Sequence, residues 1–421
     1  MTATELRPGL RRRVFFGVRL AEREDAEEGA RVVEVHPTSS AAASGVLVGD
    51  RVLRINGAAV DSGAACQRSI KDLTPGEPLE VEVARGPARA RVRLVGTTKP
   101  WPTESFPGST LVLDHVGDAG RRQRVFFTRP DAPGRRPAVM LMRGFSCRSS
   151  EFPFAPQTPL RLLLTAWARA GYCTLRVEKL GVGDSEGPPC PDNDFASELA
   201  GARAGLEYLR AADCVDAGRI ALFGHSVGGM IAPLLAAERP VAGIGTFGTS
   251  ADRFSDCAAA SRRRQLTLAG APLRDLSAME ALQALLVRER LSLEEALRRR
   301  PELAAVAPAL LPEGRLFGRS MTYSRELDAA PIEAAWREID AEIAIFHAEY
   351  DYVCVREEAA RIVALVNDGG CGRARLVELP GVGHLLYTHP SLRAAFDEPE
   401  VGSTDTGIVE ATLDWLGRAF A

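Results

Sequence analysis

Beyond residue 137 the chain carries six apolar runs, and these constrain its fold more than any other feature: Ala138 to Met142, Tyr172 to Val177, Arg219 to Phe223, Val241 to Thr246, Ile343 to His347 and Ala374 to Leu379. Their hydrophobicity is continuous rather than alternating, so each predicts a strand buried on both faces. Helix-length segments separate most of them, which is the pattern of a mostly parallel sheet covered by helices. Leu111 to Leu113 and Arg124 to Thr128 flank a turn rich in Gly and Asp and predict an antiparallel edge hairpin, for about eight strands in all. The interval from Thr246 to Ile343 is too long for a simple crossover and strongly helical in composition, as in Ser277 to Arg300; it predicts a helical lid at about 252–340.

The N-terminal part reads differently. Val14 to Leu20, Ala30 to Val35, Arg51 to Ile55 and Leu79 to Val83 are short strand candidates between Gly, Pro, Ser and Asn turn signals, so residues 1–96 predict a small β-rich module. Thr97 to Gly108, TTKPWPTESFPG, contains three prolines that forbid a continuous helix or central strand, and it serves as the linker to a larger unit at 109–421. Two units also suit a length of 421 residues, because single hydrophobic cores stop growing at roughly 250–300.

Composition excludes several function classes. The 52 basic and 55 acidic residues leave a net charge of −3, with no footprint for nucleic acid or an anionic membrane. Arg11 to Arg13 precede an apolar run broken by Arg19 and Glu22, too short for a signal-peptide core, and no window is apolar over the ~18 residues of a membrane span. A cytoplasmic protein without a membrane span is expected. Eight cysteines without a C-x-x-C pair suggest neither a zinc site nor a disulfide scaffold.

The chemistry concentrates where Arg219 to Phe223 runs into Gly224-His225-Ser226-Val227-Gly228-Gly229, followed by an apolar helical stretch to Ala237. Strand, G-x-S-x-G, helix is the pattern of a serine exposed on a sharp turn, with Gly224 and Gly228 where side chains would collide with neighbouring backbone. A serine nucleophile requires a base and an orienting carboxylate, in the chain order Ser, acid, His. His384, on the loop after the last strand candidate, is the preferred base; His389 competes but precedes Pro390. Asp351, at the end of IAIFHAEYD, is the preferred acid, with Glu349 and Asp252 as alternatives and His347 assigned to the core. Two backbone donors for a developing oxyanion would come from Val227 and from Phe145, the latter in Met142-Arg143-Gly144-Phe145.

With these residues in place, the chain from Pro137 onward resembles the α/β-hydrolase superfamily, particularly its esterase and prolyl-oligopeptidase-like branches. The resemblance is carried by RGFS at 143–146, RVEKLGVGDSEG at 176–187, GHSVGG at 224–229, HAEYD at 347–351 and LPGVGH at 379–384. It departs from the family at Arg143, where His-Gly is usual. Gly181 to Ser185 resembles the stretch after the fourth strand that shapes the sheet end, so Asp184 and Ser185 receive no catalytic role. The resemblance implies the α/β-hydrolase fold and hydrolysis of an ester, thioester or amide through an acyl-enzyme on Ser226, with no metal or organic cofactor. A peptidase, an acyltransferase or cyclase, and a non-catalytic scaffold are the alternatives.

FFGV at 15–18 and HPTSSAAASGVLVGDRVLRINGAAV at 36–60 make residues 1–96 resemble a bacterial PDZ domain. That implies strand addition by a peptide or protein C-terminus, its carboxylate held by the loop Phe16, Gly17 and Val18. Packing against the larger unit is the plainer alternative. Adjacent strands of the hydrolase fold would bring Cys147 and Cys190 close enough for a disulfide or a redox-sensitive pair. The arginine runs at 262–264 and 298–300 fall in the lid and read as solvated helix faces.

Overall fold

Alternate residues of the central strands lie against two separate hydrophobic cores, and this is what the continuous apolar runs encode. Ile220, Leu222, Ile244, Ile343 and Ile345 face one core, while Ala221, Phe223, Phe247, Ala344 and Phe346 face the other. The computed structural model describes residues 3–21, 28–60, 63–70, 73–100, 102, 107–151, 158–369, 373–404 and 406–421, so residues 101 and 103–106 of the expected linker lie outside the described residues.

Among the described residues the large sheet has nine strands: β1 (Ala3–Leu6), β2 (Ser109–Val116), β3 (Gln123–Pro130), β4 (Arg136–Met142), β5 (Cys173–Val177), β6 (Val215–His225), β7 (Gly243–Phe247), β8 (Glu342–Tyr350) and β9 (Arg373–Gly383). Their spatial order is β1-β2-β3-β5-β4-β6-β7-β8-β9. Every neighbouring pair is parallel except those made by β3, which runs antiparallel to both β2 and β5. Helices α1 (Pro159–Arg169) and α10 (Ile408–Ala419) cover one face; α2 (Phe195–Ala211), α3 (Val227–Glu238), α8 (Ile332–Glu338) and α9 (Arg356–Gly369) cover the other. Between β7 and β8 the chain adds α4 (Phe254–Leu268), α5 (Leu276–Val287), α6 (Leu293–Arg299) and α7 (Met321–Ala329). Part of this insertion has a core of its own, built on Leu282, Leu286, Ala296, Leu303, Leu310 and Leu316.

The ninth strand comes from an unexpected place. Ala3 to Leu6 pair in parallel with Thr110 to Leu113, so the expected hairpin β2–β3 is not the sheet edge. The next residues are fixed to the same unit by charge. Arg12 Nη1 lies 2.8 Å from Asp184 and also pairs with Glu151, which takes Lys99 as well; Arg124 reaches Asp184 at 3.3 Å and Leu10 O at 2.9 Å. These side chains are buried. Asp184 and Ser185 therefore bind the N-terminal segment: Asp184 accepts the Arg13 N–H at 2.9 Å and Ser185 O accepts from the Arg13 guanidinium, while Ser185 Oγ takes the Arg124 N–H of β3 at 2.9 Å.

The small sheet between these anchors contains Val18–Leu20, Ala30–Val35, Arg51–Ile55, Pro78–Arg85 and Ala88–Val95, with Ala58–Ala59 paired to Arg51–Ile55. It encloses Val32, Val52, Ile55, Leu79, Val81 and Phe16. The strand candidate Val14 to Leu20 is broken at Phe16-Gly17: Val14–Phe15 turns away to pair with Thr97–Thr98. Ala88–Val95, ARARVRLV, carries no strand signal in its sequence because its arginines face solvent and Leu94 is its buried residue.

Candidate active site

At the C-terminal end of β6 the backbone turns sharply into α3, and Ser226 occupies the turn with φ 55° and ψ −122°. That conformation is costly for a residue with a Cβ. The surroundings enforce it by close approach. A Cβ on Gly224 would fall 2.3 Å from Gly228 O, and one on Gly228 would fall 2.2 Å from Met142 O, so helix and strand are packed against the turn with no room for side chains. The Ser226 N–H donates to Phe247 O at 2.8 Å, and Ser226 O accepts the Gly229 N–H at 2.8 Å.

Asp351 and His384 come together beside this turn. His384 Nδ1 lies 2.8 Å from Asp351 Oδ2, while Asp351 Oδ1 accepts the N–H groups of Val353 (2.8 Å) and Cys354 (2.9 Å). The Asp351 carboxylate has no exposed surface. Burial works against its charge, yet His384 and the two N–H groups hold its carboxyl below the usual carboxylate range. The pair sits over Gly248: a Cβ there would lie 2.9 Å from the His384 ring and 3.0 Å from Asp351 Oδ2. Gly248 follows Phe247, the residue that accepts the Ser226 N–H. Behind the histidine, His225 Nε2 lies 2.9 Å from His384 O, and burial pushes the His225 imidazole down to about 3.

The loop carrying Phe145 passes directly beside the serine. A Cβ on Gly144 would fall 2.8 Å from Ser226 Cβ and 3.4 Å from its Oγ. Val227 opens α3 immediately after Ser226. Arg143 turns its guanidinium to Arg148 O at 2.8 Å, inside the loop. Cys147 and Cys190 form a disulfide with Cα atoms 5.8 Å apart, which ties the loop after β4 to the loop after β5.

The competing residues are engaged elsewhere. Glu349 accepts the Gly381 N–H at 2.8 Å, Asp252 pairs with Arg361, and His389 is buried against Gly383. His347 is buried. Among the described residues, Asp252, Cys257 and Glu358 bring three potential metal ligands within 4.8 Å of one another, but Asp252 already holds Arg361 and Glu358 accepts the Val355 N–H at 2.9 Å. Four arginines of the insertion's two runs have partners: Arg262 with Gln283 at 2.8 Å, Arg263 with Glu280 at 2.8 Å, Arg299 with Glu289 and Arg300 with Glu302. Arg264 reaches instead to the carbonyls of Tyr352 and Val353, beside the acid. Its contact with the acid loop had no signal in the sequence.

Among the described residues of the small sheet, Val18–Leu20 is an edge strand, paired on one side with Ala30–Val35. Phe16 is buried in the small core, and Gly17 has φ +80°, with its missing Cβ replaced in space by Ser39. Gly17 O accepts the His36 N–H at 2.8 Å and Phe16 O accepts the Ala41 N–H at 3.2 Å, so the loop is fixed from its carbonyl side.

Residues 139–396 match the sequence model described as the alpha/beta hydrolase family, which is more than half of the chain. The chain belongs to this family. Residues 14–94 of this alpha/beta hydrolase match the PDZ domain. The hydrolase is 32% identical over 120 residues to the quorum-quenching protein AidA of Acinetobacter baumannii, covering 27% of this chain and 40% of that one. It is 35% identical over 78 residues to a probable periplasmic serine endoprotease DegP-like of Halomonas elongata, covering 18% and 16% respectively. It thus spans less than half the length of either curated relative. Among solved structures it is similar to Est1E from Butyrivibrio proteoclasticus, with 16% identity, a TM-score of 0.46, and coverage of 72% of this chain and 99% of that one.

Proposed function

We propose that the protein is a serine hydrolase that cleaves an ester, thioester or amide through an acyl-enzyme on Ser226. The observation that carries this reading is the buried Asp351–His384 hydrogen bond beside a serine held at positive φ on a strand-to-helix turn. With Nδ1 committed to Asp351, His384 presents Nε2 as the general base for Ser226 and then as the general acid for the leaving group. The acyl carbonyl oxygen gains charge in the tetrahedral intermediate, and the N–H groups of Val227 and Phe145 are the donors for it. Water, activated by the same imidazole, releases the acid. None of these steps calls for a metal or organic cofactor.

An ester is the default substrate. Amide substrates are the second reading, because the insertion between β7 and β8 reaches both working loops through Arg264 and Arg319, an arrangement that suits a lid admitting small or peptide substrates. The edge strand Val18–Leu20 supports peptide binding at Phe16, Gly17 and Val18, where a C-terminus would add antiparallel to the small sheet. Labelling with a fluorophosphonate probe tests the central claim: the native chain should label and Ser226→Ala should not, whereas equal or absent labelling would leave an inactive scaffold as the better reading. A panel of acyl esters against aminoacyl and dipeptidyl amides then assigns the substrate class.

No helix among the described residues is long and apolar enough to cross a membrane. The cytoplasmic setting expected from the sequence stands as a proposal that the Cys147–Cys190 disulfide puts under test, since such bonds persist in oxidising compartments. Differential alkylation of thiols in intact cells should find this pair reduced if the setting is cytoplasmic; an oxidised pair argues for another compartment.

A further inference from the structure

The loop beside Ser226 is gripped through two consecutive carbonyls, each by a different cation. Lys179 Nζ donates to Gly144 O at 2.6 Å, and Arg319 Nη1 donates to Phe145 O at 3.0 Å. The two cations then converge on one carboxylate: Lys179 Nζ lies 2.7 Å from Glu198 Oε1 and Arg319 Nη2 lies 3.0 Å from Glu198 Oε2. The side chains of Lys179, Arg319 and Glu198 are 13%, 3% and 8% exposed. Three separate elements meet here. Lys179 follows β5, Glu198 stands in the first turn of α2, where the helix dipole favours a negative charge, and Arg319 belongs to the insertion before α7. Arg319 also lies 3.8 Å above the Tyr323 ring, and Tyr323 meets Phe145 edge-on at 5.3 Å, so the guanidinium is fixed on both sides.

Why this matters to the chemistry follows from the peptide bond. The carbonyl of Gly144 and the N–H of Phe145 belong to one planar trans peptide and point in opposite directions. A cation that fixes one therefore aims the other. Gly144 itself abuts Ser226, so turning its carbonyl towards Lys179 points the Phe145 N–H away from Lys179 in the peptide that adjoins the serine.

We propose that Lys179 and Glu198, with Arg319, are positioning residues for acyl transfer: they aim the Phe145 N–H at the oxyanion without touching substrate. This rests on the acyl-enzyme reading above. Removing one oxyanion donor altogether costs about a hundred- to a thousandfold in turnover, and a donor left in place but free to swing should cost less, about ten- to a hundredfold.

The experiment compares the native chain with Glu198→Gln, which keeps the shape and removes the charge, and with Lys179→Met, which removes the grip on Gly144 directly. Folding is checked by circular dichroism and by melting temperature, so either variant can serve if the other does not fold. With p-nitrophenyl butyrate, kcat should fall about ten- to a hundredfold while KM changes less than about threefold, because the donor acts on a charge that exists in the transition state and not in the bound ester. Affinity for butylboronic acid, which forms a tetrahedral adduct with the serine, should fall by a similar factor. Folded variants that keep native kcat and boronate affinity, or that lose KM alone or melting temperature alone, would overturn the role. Fluorophosphonate labelling separates the two levels: a native chain that does not label sinks the acyl-enzyme reading and this role with it, whereas a labelling native chain with indifferent variants sinks only the role.

Discussion

Ser226 holds a backbone conformation that would relax if its neighbours allowed it, and the residues that prevent this are small or buried. Gly224 and Gly228 let helix and strand close on the turn, and His225 fixes the backbone of His384 from below. His225 also carries a testable cost. Burial holds its imidazole neutral down to about 3, whereas the unfolded chain takes up that proton near 6.5. Unfolding therefore binds a proton between these values, so the stability this group contributes is complete above pH 6.5 and is lost as pH falls towards 3. His225→Gln, which can still donate to His384 O, should flatten that slope by an amount on the order of a few kcal/mol at pH 4. Melting temperature followed from pH 7 to pH 4 checks it; parallel profiles for the two proteins would place the acid sensitivity elsewhere.

At the scale of elements, the loop after β4 is organised by the strand next to it. Arg176 donates to Ser150 O, Glu178 accepts from Ser149 Oγ and from the Ser150 N–H, and Lys179 takes Gly144 O. Three charged residues within RVEK thus hold a loop some thirty positions earlier in the chain, a span set by the 26–35 residue separations of these bonds. The Cys147–Cys190 bridge closes the same two loops across a separation of 43 residues. On the chain-entropy account, a closed loop of that size is worth up to about 4 kcal/mol. Cys147→Ser should lower the free energy of unfolding by up to that amount without changing the fold. Urea denaturation of the variant, and of the native chain with and without reductant, measures the loss; no loss in either would mean that the loops are held by the charged residues alone.

At the scale of the whole molecule, the small sheet is not a bead on a string. The chain begins in the large sheet at β1, leaves to build the PDZ domain, and returns through Lys99 to the same buried charges that hold Arg12. Entry and exit are therefore fastened at one place, beside Glu151 of the loop after β4 and Asp184 of the loop after β5. Arg12→Met would leave Glu151 and Asp184 with one cation fewer in a buried setting, at a cost of about 3–5 kcal/mol. A single urea transition that moves to lower concentration would match this; an unchanged transition would show that Lys99 and Arg124 suffice.

Much of this was legible before any coordinates. Continuous apolar runs require two covered faces, and that requirement by itself selects a mostly parallel sheet between helices. G-x-S-x-G between a strand and a helix requires two glycines because of the space available at such a turn, and the order of Ser226, Asp351 and His384 along the chain follows the order of the strands that carry them. Ala3 to Leu6 gave no such signal, because a four-residue edge strand has too little pattern to mark its partner. Arg12, Lys179, Glu198 and Arg319 read as ordinary charges in the sequence, since nothing local distinguishes a solvated side chain from one whose counter-ion lies on another element. Periodicity and steric exclusion act within a few residues and so are written in the sequence. Pairing of buried charge acts through space, and only the folded chain decides which cation meets which carboxylate.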